Sequence, residues 1–109
     1  MQTVADMKLI TCIIPRGLGS DLVDALHEEK ELTAVNVAHG RGISRRGGYF
    51  AQEVDILPVI VAESAADNIF AYLYDRIDIE GSSRRFLFQE SLGCTTDFVL
   101  PDSVEEEQV

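Results

Sequence analysis

Lys8–Ile14, KLITCII, is a short apolar run rich in β-branched residues and predicts a buried strand. PRGLGS breaks it at residues 15–20. Ser20 then offers an N-cap ahead of Leu22, Val23, Ala25 and Leu26, the apolar stripe of a helix reaching about Lys30. Asp21 and Asp24 fall near the positive end of that helix, where acids are stabilising. LTAVNVA, Leu32–Ala38, predicts a second strand, and the stretch HGRGISRRGG that follows reads as a loop. Glu53–Ala62 predicts a third strand, with Pro58 implying an edge position or a bulge. Ser64 and Asp67 resemble a capping box opening a second helix, whose stripe is Ile69, Phe70, Leu73, Tyr74 and Ile77. EGSS ends that helix, RRFLFQESL predicts a fourth strand, and DFVLP a short fifth.

The order β-α-β, β-α-β predicts an α+β domain of the ferredoxin-like βαββαβ type, an antiparallel sheet with both helices on one face. One such domain accounts for residues 1–101, and residues 102–109 form an acidic tail expected to be disordered. Hydrophobic residues make up 46% of the 109, enough for a core. Phe86 and Phe88 alternate with Leu87 and Gln89, so both faces of the fourth strand are largely apolar. Helices would cover one face and neighbouring subunits the other.

Charge narrows the partners. The net charge of −10 argues against nucleic acid, whose binding is driven by neutralising phosphates. No apolar run approaches 18 residues and the N-terminus has no apolar signal region, so no membrane insertion is expected, and a cytoplasmic location is. Two cysteines make no disulfide framework: Cys12 lies in an apolar run and Cys94 follows a glycine.

Against this acidic background, five of the seven arginines fall in two regions: Arg41, Arg45 and Arg46 after the second strand, Arg84 and Arg85 before the fourth. Glycines let backbone N–H groups approach a ligand, and guanidinium forks suit phosphate or carboxylate. The pattern reads either as an anion site built from two regions or as a solvated hairpin whose arginines balance acids elsewhere. The G-x-G of Gly40 and Gly42 opens no helix, so it is neither a dinucleotide fingerprint nor a P-loop. His27 reads as a solvated helix-end residue, and His39 as strand-end packing or a ligand contact. No nucleophile–base pair and no metal-ligand spacing is evident, so neither an enzyme nor a metal site is expected.

In order and spacing the chain resembles the PII signalling superfamily over about residues 8 to 100. KLITCIIPRGLGSDLVDAL resembles its first strand, break and helix; AVNVAHGRG, the strand entering the T-loop; DILPVIVAES, the strand returning from it; EGSSRRFLFQ, the B-loop and the strand beyond. The resemblance implies a homotrimer with adenine nucleotides in the clefts between subunits. It implies ligand contacts from Gly40, Arg41, Gly42, Arg45 and Arg46 at the T-loop and from Gly81, Arg84 and Arg85 at the B-loop. A transporter or enzyme would be contacted through the loop 40–52. The T-loop is shorter than is typical, and the phosphate-clamping arginine pair is missing where this chain reads ESLGCTTDFVLP. These departures favour ADP or AMP over ATP, and PII-like relatives with altered loops make bicarbonate a candidate effector by analogy. The alternative is a trimeric scaffold of the same fold, or a metal-tolerance protein like CutA, without nucleotide binding.

Overall fold

A computed structural model of the chain describes residues 3–32, 35–44, 50–81 and 84–96. Its main sheet has four antiparallel strands: β2 (Met7–Pro15), β3 (Ala38–Ser44), β4 (Phe50–Ala62) and β5 (Phe86–Leu92). Their spatial order is β3-β4-β2-β5. Helices α1 (Gly19–Lys30) and α2 (Glu63–Arg76) join β2 to β3 and β4 to β5, which gives the expected ferredoxin-like βαββαβ fold. A two-residue strand β1 (Thr3–Val4) pairs with β6 (Thr95–Thr96), a small second sheet that the sequence pattern does not announce. DFVLP and the acidic tail lie outside the described residues.

Alternation decides which side of the sheet is core. Ile10, Cys12 and Ile14 of β2 and Leu57, Val59 and Val61 of β4 point to the helices and are buried. They meet Leu22 and Leu26 of α1 and Ala66, Ile69 and Leu73 of α2, with Ile77 just beyond it. Phe70 and Tyr74 of the predicted stripe are half-buried at its margin. Burial pushes the Cys12 thiol up to about 12, so this cysteine packs as a small apolar group.

The intervening residues face the other way. Leu9, Ile13, Ile56, Ile60 and Phe88 are half-buried there, and Phe86 is 58% exposed. The rings of Phe86 and Phe88 pack against each other at 5.5 Å between centroids, tilted by 44°. One side of the sheet is thus a largely apolar surface that neither α1 nor α2 covers.

Three local expectations are corrected. The second strand runs through Ala38–Ser44, not Leu32–Ala38; of the earlier stretch, Val35 forms one isolated bridge to Val59, and residues 33 and 34 lie outside the described ones. The Gly/Arg segment therefore begins as an edge strand. Gly40 suits it: a Cβ there would come within 3.0 Å of Ile56 Cδ1 across the ladder. Pro58 sits on an interior strand in a continuous ladder with β2, but the β3 ladder has ended two residues earlier, at Ala38↔Ile56. Its missing N–H therefore costs no bond to β3. Neither helix has the cap predicted for it. α1 starts at Gly19 with Ser20 already inside, and α2 starts at Glu63 straight from β4, where the Asp6 carbonyl accepts the Glu63 N–H at 2.8 Å. Partners distant in sequence satisfy these helix ends in place of local hydroxyls.

Candidate functional site

The turn between β2 and α1 closes on a carboxylate from another strand. Asp55 lies on β4, 2% exposed, in a run that is otherwise apolar. Its Oδ2 accepts the Gly17 and Gly19 N–H groups, each at 2.9 Å. Its Oδ1 accepts from His39 Nδ1 at 2.8 Å, and Arg16 Nε lies 3.9 Å away. An ionised carboxylate only accepts, so the shared proton belongs to Nδ1 of His39. Burial pushes the Asp55 carboxyl up; the bonds from Gly19, Gly17 and His39, with the His39 charge, outweigh it and hold the group below the usual aspartate value. Gly17 has φ of 101°, and a Cβ on Gly19 would fall 2.8 Å from Asp55 Oδ2, so the turn needs glycine at both places.

Two residues along the ladder is a second carboxylate. Glu53 takes Arg16 Nη1 at 3.4 Å on one side and Arg41 Nη2 at 3.3 Å on the other. Arg41 and Glu53 are directly paired across β3 and β4, as are His39 and Asp55. Arg16, His39, Arg41, Glu53 and Asp55 thus form one polar rim at the end of the sheet beside the start of α1.

Of the predicted ligand residues, Gly40, Arg41 and Gly42 fall on β3. Arg45 and Arg46 lie outside the described residues. Gly81 ends a 3₁₀ turn, Ile79–Gly81, and Arg84 and Arg85 stand at the foot of β5. Arg85 Nη1 donates to the Ile77 carbonyl at 2.6 Å. β3 and β5 are opposite edges of the sheet, separated by two strands. At about 4.8 Å per strand this keeps the two groups roughly 14 Å apart within one chain. Both nevertheless lie at the same end, because β3 pairs with the Phe50–Ile56 half of β4 and β5 starts opposite Ile13. One chain does not bring them together.

Asp55, Glu53 and Arg16 were not among the residues singled out. The signal for Asp55 was an acid flanked by Val54 and Ile56 inside EVDILPVIVA, which a buried strand tolerates only if its charge is met. Among the described residues no group of His, Cys, Asp or Glu could hold a metal ion, and no helix is long and apolar enough to cross a membrane.

No family model matches the chain, and no curated protein matches it. Solved structures do. CutA from Synechococcus elongatus in complex with a Bis-Tris molecule superposes with a TM-score of 0.70 at 10% identity, over 87% of this chain and 90% of that one. CutA from the same organism, in a second structure, matches with the same score and identity over 87% and 86%. A DUF3240 family protein from Shewanella baltica matches with a TM-score of 0.64 at 15% identity, over 89% of this chain and 99% of that one. These neighbours share the PII-like variety of the ferredoxin-type fold.

Proposed function

We propose that the chain is a PII-like regulatory module and not an enzyme, acting in the cytoplasm as a homotrimer that binds an anionic effector between subunits. The observation that carries this reading is the placement of cations on opposite edges at one end of the sheet. An edge of one copy set beside the other edge of the next is a heterologous contact, and such contacts form a ring where the rotation between copies closes. Each junction would set Gly40, Arg41 and Gly42 of one copy against Gly81, Arg84 and Arg85 of its neighbour, with Arg45 and Arg46 nearby in sequence. Backbone donors and guanidinium groups suit the phosphates of an adenine nucleotide, with ADP or AMP favoured over ATP. Bicarbonate is the second effector of this reading, and a carbon- or nitrogen-uptake protein, a transporter or an enzyme met through residues 40–52, is the partner.

Isothermal titration with ATP, ADP and AMP, each with and without bicarbonate, tests the proposal. Saturable binding of one nucleotide, altered by bicarbonate, supports it, and linkage then requires the nucleotide to alter bicarbonate affinity equally. Absence of binding to all three rejects the nucleotide site.

A second reading has its own support. Arg16 and Arg41 already share Glu53, so these two cations need no ligand to be satisfied. A CutA-like trimeric scaffold without nucleotide binding fits that arrangement and the fold equally well. The same titrations decide between the two.

A further inference from the structure

A cleft of about 270 Å³ opens on the helix side of the sheet, between the start of α1 and the end of α2, lined by Ile14, Leu18, Asp21, Leu22, Arg76, Ile77 and Arg85. It lies on the side of the sheet opposite the uncovered apolar face. Its floor is aliphatic and buried, and Leu18 adds an apolar rim that is 41% exposed. Its polar groups carry both signs: the Asp21 carboxylate on one helix, the Arg76 and Arg85 guanidinium groups on the other elements.

Two details bear on what this cleft takes. Arg76 Nη1 is occupied by Glu29 at 3.3 Å, which fixes that guanidinium at the rim. Arg85 uses Nη1 on the Ile77 carbonyl, while its Nε is buried and lacks a hydrogen-bond partner. A buried N–H without an acceptor carries a desolvation cost. A modest turn of this guanidinium toward the cleft would bring its Nε and Nη2 edge onto a carboxylate, the two-pronged geometry that arginine favours. A plain organic acid would use that edge but meet Asp21 as a like charge, whereas a ligand with a cationic group beside its carboxylate uses both. At about 30 Å³ per water the cleft holds roughly nine waters, the scale of one amino acid.

We infer that this cleft is a binding site for a small apolar α-amino acid, its carboxylate on Arg85, its ammonium on Asp21 and its side chain on Ile14, Leu18, Leu22 and Ile77. The inference does not rest on the nucleotide reading. Arg85 borders both sites, but Leu18 and Asp21 belong to this one alone.

Titration by calorimetry with three matched probes tests it: L-leucine, 4-methylpentanoate, which lacks the ammonium, and 3-methylbutylamine, which lacks the carboxylate. Leucine is expected to saturate the protein with a Kd of about 1 mM or tighter, and each truncated probe to bind about tenfold more weakly, the loss of one charge-assisted bond. Asp21→Asn should weaken leucine and spare 4-methylpentanoate, and Arg85→Gln should weaken both. Leu18→Ser should weaken all three; it puts a favoured residue at the N-cap position, so folding is spared. Neither Asp21→Asn nor Leu18→Ser should change nucleotide titrations, which separates failure here from failure of the nucleotide site. No saturation by leucine, 4-methylpentanoate binding as tightly as leucine, or unchanged leucine affinity in Asp21→Asn would each overturn the inference.

Discussion

Replacing Asp55 with alanine removes at one stroke the acceptor of two backbone N–H groups and of His39 Nδ1. The orphaned donors sit at the first turn of a helix packed on the sheet, where desolvation is costly. A loss of about 3 kcal/mol is expected in urea unfolding at fixed protein concentration. Gly19→Ala attacks the same joint from the other side, since its Cβ would crowd Asp55 Oδ2 and Val37, and about 1–2 kcal/mol is expected from overpacking. The pH dependence has a definite sign. The folded protein holds the Asp55 carboxyl below its unfolded value, so folding is favoured most where the carboxyl is ionised in both states. That stability is fully present above the unfolded pKa of about 3.9 and is lost as pH falls through the folded value. Asp55→Asn should start less stable at neutral pH and show a flatter acid limb. An unchanged acid limb in urea midpoints would mean that another carboxylate controls acid unfolding.

Elements formed where period and tertiary context agreed. KLITCII and EVDILPVIVA became β2 and β4 because their alternate residues meet two helices, and Ile69, Leu73 and Ile77 became the buried stripe of α2 and its exit. Leu73→Ala should cost roughly 3 kcal/mol, the usual scale for truncating a fully buried leucine. The helix starts were not legible in the same way. Ser20 and the Ser64–Asp67 pair are good local caps, but an Asp55 carboxylate and an Asp6 carbonyl distant in sequence took the N–H groups first. The edge strand was hidden because its glycines read as a loop, while only its pairing with β4 reveals Ile56 filling the space beside Gly40. The candidate site suffered the same way: two arginine clusters were visible, but Glu53, which holds Arg16 and Arg41 together, was one acid among many. This pairing is exposed, so Glu53→Gln should change stability by less than about 1 kcal/mol. Freeing both guanidinium groups should nevertheless tighten anion binding in nucleotide titrations, with a gain that fades as salt rises. Weaker binding in Glu53→Gln would show that Glu53 positions Arg41 for the ligand.

At the scale of the whole molecule, the dominant feature is the apolar side of the sheet. Leu9, Ile13, Ile56, Ile60, Phe86 and Phe88 alternate with core residues and face away from both helices. An antiparallel sheet facing water normally turns polar residues outward, whereas this one turns mostly apolar residues out, with Thr11 and Glu90 among them. Contiguous apolar surface of this kind marks an interface, and a small domain gains most from such burial. In the proposed trimer a second and third copy would cover this face, and each junction would join a β3 edge to a β5 edge, which would also account for the opposite-edge arginines. The protein should therefore sediment at three times the 12.0 kDa chain mass at micromolar concentration. Phe88→Asp places an unpaired charge within that face and should shift the sedimentation toward monomer, while the helix-side core stays folded by circular dichroism. Nucleotide binding should disappear with the trimer, and binding to the cleft between α1 and α2 should not. A monomeric wild-type protein would remove the intersubunit site altogether, because within one chain its two halves stay two strands apart.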